Sequence, residues 1–231
     1  MRLEKFNAYQ GKGIGMIKLT TAKKPYKLKS QFELKEIQAN PLPKDAIGFN
    51  KLLGKGLVNW NISTQGVSQH DFVHNLDGKI GFNLTKGAVK GVNLAALARS
   101  AEGLLSGKIN KVSLDHNFDD AQATDFASLL ANFTFNKGVE NTTDLALVNP
   151  FIRVSGQGEL DLAKTDIDFK IKTKLIASGD GQQASSKESG ITIPTKITGP
   201  FHNTKIRADV RSVTTDKIKD KLTEKLKGFF N

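Results

Sequence analysis

The chain has 231 residues, a formal net charge of +11, 38% hydrophobic residues and no cysteine. The missing cysteines exclude disulfides, thiolate metal sites and Cys nucleophiles. No apolar run approaches the ~18–20 residues that cross a bilayer, and no charged-then-apolar leader follows Met1.

In chain order, residues 2–9 and 14–20 read as a hairpin around Gly11-Lys12-Gly13. Tyr26–Ile37 is a longer strand with Leu28, Phe32 and Leu34 on one parity, stopped by Asn40-Pro41-Leu42-Pro43. Asp45–Leu53 reads as a short helix ended by Gly54-Lys55-Gly56. Leu57–Thr64 is a strand that sets Val58, Trp60 and Ile62 against Asn59, Asn61 and Ser63. Ser68 caps a short helix to Leu76. Gly78–Leu84 is a strand with Ile80, Phe82 and Leu84 on one face; Lys86-Gly87 turns it and Ala88–Val92 continues extended. Asn93 caps a helix, LAALARSAEGLL, with an apolar stripe. Lys108–Phe118 returns to strand, carrying Leu114 and Phe118, and Thr124–Leu129 reads as one helical turn. Ala131–Phe135 opens a hairpin about Asn136-Lys137-Gly138.

Leu145–Ile176 is the most regular stretch and predicts three strands. Ile152, Val154, Leu160 and Leu162 share one parity, with Gly156 and Gly158 between them. Ile167, Phe169, Ile171 and Leu175 share another. Ser178–Gly190 is polar and reads as a mobile loop. Ile191–Thr198 and Lys205–Val210 form a last hairpin across Gly199-Pro200. From Thr214, Ile218, Leu222, Leu226, Phe229 and Phe230 recur at helical spacing, an amphipathic tail.

A meander with so little helix leaves more apolar sheet than the helices can roof. The expectation is a partly open apolar concavity, unless the sheet folds on itself as a sandwich. The 14 Phe against 2 Tyr and 1 Trp suit either reading, since Phe has no polar handle and wants burial or an apolar ligand. The basic residues are mostly Lys, scattered along strand faces. That pattern argues against nucleic-acid readout, which favours Arg, and for acidic lipid headgroups.

Three constellations have dull explanations. His70 and His74, four apart, approach the helical zinc motif, but Asp71 replaces its Glu and no third ligand lies near. An exposed polar helix is the expectation there. Asp115, Asp119 and Asp120 lack calcium-loop spacing and read as a solvated turn. GKGIG and GKG lack the context of a phosphate cradle. No metal, cofactor or catalytic residue is expected, and an enzyme rests on the His pair alone.

Several phrases together resemble the C-terminal region of the AsmA family: GFNKLLGKGLVNWNISTQG, LDGKIGFNLTKGAVKGVNLAALAR, the run from Thr124 to Ser178, and ITIPTKITGPFHNTKIRADV. The likeness runs from about Ala46 to Val210, and GAVKGVNLAALAR and IPTKITGPFHNTKIRADV are its most specific parts. It implies a bacterial envelope protein, periplasmic, with an inner-membrane anchor outside this fragment. It also implies a relationship to bridge-like lipid transfer proteins, whose curled sheet forms a trough for phospholipid acyl chains in support of outer-membrane integrity.

The expected fold is mostly β: a long antiparallel meander curled into an open half-barrel or trough over 1–212, then an amphipathic helix over 213–231. The candidate groove residues are Trp60, Ile62, Ile80, Phe82, Leu84, Leu114, Phe118, Phe133, Phe135, Ile152, Val154, Phe169 and Ile171. The expected partners are phospholipid tails, the rest of a longer parent chain and envelope proteins, with no nucleic acid. The alternative is a structural or protein-interaction module that carries no lipid, using sheet edges for strand addition.

Overall fold

The alternation of apolar and polar residues does produce strands, and bulges keep the apolar ones on one face as the strands lengthen. The computed structural model describes residues 2–105, 115–117, 119–176, 192–201, 203–210 and 212–213. These form β1 (Arg2–Ala8), β2 (Gly11–Thr20), β3 (Tyr26–Gln38), α1 (Pro41–Ile47), β4 (Leu52–Gly66), α2 (Gln69–His74), β5 (Asp77–Gly91) and α3 (Leu94–Leu105). Then follow β6 (Asp115–Asn117), β7 (Asp119–Asn136), β8 (Val139–Val148), β9 (Ile152–Asp161), β10 (Asp166–Leu175), β11 (Thr192–Pro200) and β12 (Lys205–Ala208). All twelve strands join one antiparallel sheet in the order β1-β2-β3-β4-β5-β7-β8-β9-β10-β11-β12-β6. The expected loop 178–190 and most of the expected tail helix lie outside the described residues.

The sheet is not closed into a barrel, yet it cannot be flat. β6 pairs with β12 at one edge, and only Phe118 separates β6 from β7 in mid-sheet. Six strand spacings of ~4.8 Å make ~29 Å across a flat sheet, whereas two residues span at most ~7 Å. The sheet therefore bends until its β12 edge comes round to β7. A ring contact agrees with this: Phe49, after α1, meets Phe201 in the β11–β12 turn at 6.2 Å between centroids.

α3 packs on β7, β10, β11 and β12, inside the bend. Its stripe of Leu94, Leu97, Ala98 and Ala101 is buried in the main apolar cluster. Asn93 caps it as expected, its side-chain oxygen accepting from the Ala96 N–H at 2.9 Å. Thr124 pins the same end to β7, accepting from the Leu94 N–H at 3.0 Å and donating to the Val92 carbonyl at 2.7 Å.

Several boundaries differ from the sequence expectations. The first helix is α1, starting at Pro41, while Leu52 and Leu53 open β4. The first turn is Tyr9-Gln10, with φ of 50° and 65°, the left-handed pair that a tight hairpin needs. Gly13 lies within β2 instead, because the Phe6 ring covers it; a Cβ there would meet that ring at 2.3 Å. β5 runs straight through Lys86-Gly87, where Lys86 takes a φ of 50°. Residues 124–129 are strand: Phe126 and Leu129 are both buried because the parity changes between them, and that spacing of three imitates a helix.

Gly158 of β9 is likewise covered by its cross-strand neighbour Phe169. An added Cβ would lie 2.5 Å from the Asp168 carbonyl oxygen and 2.6 Å from the Phe169 ring. Gly158→Val is expected to lower unfolding stability in denaturant titration by ~1–3 kcal/mol. Ser155→Val, on the wetted side of the same strand, should stay within ~0.5 kcal/mol.

Candidate functional site

The concave face is built from side chains set opposite one another in register. Its deepest row runs Ile37, Gly56, Leu84, Leu129, Leu147, Val154, Thr173, Ile193 across β3 to β11. Every side chain in it is at most 5% exposed. Two strand steps away, Phe32, Trp60, Ile80 and Phe133 lie side by side on β3, β4, β5 and β7. At the far end a row passes through Ile17, Ser30, Ile62, Gly78, Phe135, Glu140 and Leu160.

Burial is uneven along this face. Of the expected groove residues, Leu84, Ile152, Val154, Phe169 and Ile171 are buried in the cluster that includes α3, and Phe135 is buried apart from it, in the far-end row. Trp60, Ile62, Ile80, Phe82 and Phe133 are half-buried. Leu114 and Phe118 lie outside the residues whose side chains are described. Phe151 sits in the β8–β9 turn and is 57% exposed.

Two aromatic chains enter the half-buried zone: Phe6 to Phe32 at 5.5 Å and Phe32 to Trp60 at 5.0 Å, and Phe82 to Phe133 at 5.8 Å and Phe133 to Phe169 at 6.5 Å. Trp60 donates its indole N–H to Ser30 Oγ at 2.9 Å, satisfying its polar edge within the apolar surface. Phe6, Phe32 and Leu34 belong to this surface and were missing from the sequence-based set. Phe32 and Leu34 carried the parity signal; Phe6 became recognisable only through its contact with Gly13. The face opens at Leu19, which stands opposite Leu28 and is 58% exposed.

Two polar groups interrupt it. Glu140, between Phe135 and Leu160, is 4% exposed, and no hydrogen bond or ion pair holds its carboxyl among the described residues. Burial pushes its pKa up to about 8, so it holds a proton at neutral pH. Thr173 is 1% exposed and its hydroxyl has no partner among the described residues.

The other constellations are accounted for locally. Asp71 is spent on the start of α2, accepting from the Val67 and Ser68 N–H groups at 2.9 and 3.1 Å in a capping box with Ser68. His70 and His74 stack at 3.8 Å on an exposed helix of six residues. Asp115, Asp119 and Asp120, expected in a solvated turn, instead lie in β6 and at the start of β7, where Asp119 accepts from the Ala121 N–H at 3.0 Å. Among the described residues no three His, Cys, Asp or Glu groups gather around a common point, and no helix is long and apolar enough to cross a membrane.

A family model, the AsmA family, matches residues 1–145. The match takes in the first forty residues, which carried no specific phrase on their own. No curated protein and no solved structure gives a match.

Glu140 makes stability depend on pH in a known direction. The unfolded chain releases this proton near the ordinary Glu value of ~4.3, the folded chain near 8. Its contribution is complete below the lower value, drains as pH rises, and is gone above the higher one, a loss on the order of 4–5 kcal/mol. Urea unfolding midpoints should therefore fall between about pH 5 and about pH 8, and Glu140→Gln should flatten that fall; equal slopes would refute it. Thr173→Val, which removes an unpaired buried hydroxyl, is expected to raise stability by ~1 kcal/mol in the same assay.

Proposed function

The chain belongs to the AsmA family, whose members are envelope-associated, and from that premise we propose that it is a non-enzymatic lipid-contacting domain. In this reading the bent sheet is a trough, and its concave face receives phospholipid acyl chains. The domain belongs to a longer periplasmic protein, anchored in the inner membrane by a segment outside this fragment. It conducts lipid between the two membranes and so supports outer-membrane assembly.

The observation that carries this reading is an apolar zone on the concave face that runs on from the sealed deep row and stays half-buried. α3 and the deep row seal one end, while Trp60, Ile62, Ile80, Phe82 and Phe133 remain half-buried and lead to the exposed Leu19. Uncovered apolar surface of this continuity marks a binding surface. A hydrocarbon tail asks only for apolar area, at ~0.8 kcal/mol per methylene buried, so selection among tails would be weak. One observation favours the alternative, a protein-interaction module: among the described residues β1 has a neighbour on one side only, an edge suited to strand addition.

Native mass spectrometry of the purified chain separates the two. Co-purified phospholipid near one per chain is expected, and Ile62→Asp or Phe133→Asp should reduce it at least tenfold, by the few kcal/mol that a carboxylate costs in an apolar site. Lipid-free protein, or equal uptake by both variants, would favour the module.

A further inference from the structure

The opposite, convex side of the first three strands carries a chemistry that the concave face does not explain. Alternation puts Phe6, Gly13 and Leu34 inside, and so puts Lys5, Lys12, Lys18, Lys27, Lys29 and Lys35 outside. The lysines that look scattered along the sequence are thus gathered by the register onto one face. The acids there among the described side chains are Glu33, already bound to Lys35 at 2.8 Å, and the exposed Glu36 at the end of the patch. Lys5, Lys12, Lys18, Lys27 and Lys29 have no ion-pair partner among the described residues.

Two cross-strand pairs are directly opposed like charges: Lys12 faces Lys35, and Lys18 faces Lys29. Such pairs destabilise a sheet, and an anionic partner would reverse the sign of that term. Between them on β2 stand Ile14 and Met16, 51% and 48% exposed. Beside Ile14 a shallow concavity of about 500 Å³ is lined by Lys5, Lys12, Glu33 and Lys35. Lysines around a small exposed apolar centre match a bilayer surface, where phosphates surround and acyl carbons lie just beneath. A nucleic-acid backbone offers nothing to Ile14 and Met16.

We propose that the convex face of β1–β3 docks on an anionic bilayer surface, with lysines on the headgroups and Ile14 and Met16 seated between them. This docking does not depend on the concave face holding lipid, since the two faces look in opposite directions.

The test is flotation of the full chain with vesicles of phosphatidylglycerol and phosphatidylethanolamine, against vesicles of phosphatidylcholine alone. Binding is expected to the anionic vesicles only and to fall steeply with added salt. Each lysine near the surface should contribute about fivefold, so Lys12→Glu/Lys18→Glu/Lys29→Glu should weaken binding by at least a hundredfold. The charge-matched control Lys170→Glu/Lys172→Glu/Lys196→Glu, on the outer side of β10 and β11, should weaken it far less, and Ile14→Ser/Met16→Ser should weaken it severalfold. These are exposed positions, and thermal unfolding of each variant checks that the fold persists. Equal binding to phosphatidylcholine, no binding to either vesicle, or equal loss in both triple variants would overturn the proposal. Phe133→Asp should bind vesicles normally even where it loses lipid from the trough, which keeps the two readings separable.

Discussion

The one-residue link between β6 and β7 is the constraint from which the rest follows. A strand at the far edge and a strand in the middle are tied together by less chain than a flat sheet could tolerate. Bending is thus imposed by covalent reach as well as by twist. Once bent, the sheet has an inside and an outside. The deep row from Ile37 to Ile193 can be sealed by α3, and the remainder of the same face becomes a concavity that α3 does not fill.

Bulges make this bend compatible with a single apolar face. β3 turns out at Lys35-Glu36, where Glu36 takes a φ of 57°, and its inward residues change from Phe32 and Leu34 to Ile37 and Ala39. β8 does the same around Asp144, which accepts from the Asn132 backbone and side chain at 2.8 and 2.6 Å; inward Glu140 and Thr142 give way to Leu145 and Leu147. Each bulge re-aims the following residues and increases local twist.

This also explains which parts of the fold were legible in the sequence. Leu145–Ile176 reads correctly because β9 and β10 contain no bulge between Ile152 and Leu175, so their period of two is unbroken. The stretch 124–129 misleads because its parity shift brings Phe126 and Leu129 to helical spacing. The glycines of β2 look like a turn because their neighbours are distant in sequence: Phe6 and Phe32 lie on other strands. The apolar set chosen by parity fell on the concave face wherever its residues are described. What parity could not rank was burial, since Leu84 and Phe82 are two residues apart and only one is sealed. Nor could it place Glu140, whose charge argues for the wetted side until register sets it between Phe135 and Leu160.

The distant pairing of β6 with β12 has a consequence for how the chain acquires its structure. Hairpins from β1 to β5 join neighbours and can zip up as they emerge, but Asn117 must wait for Lys205. Closing so long a loop is entropically costly and kinetically late. Until β10, β11 and β12 are in place, the apolar stripe of α3 lacks most of its cover, and exposed apolar surface of this kind favours off-pathway association or capture by a chaperone. Maturation of this domain is therefore governed by its last strands, although the order of synthesis favours its first.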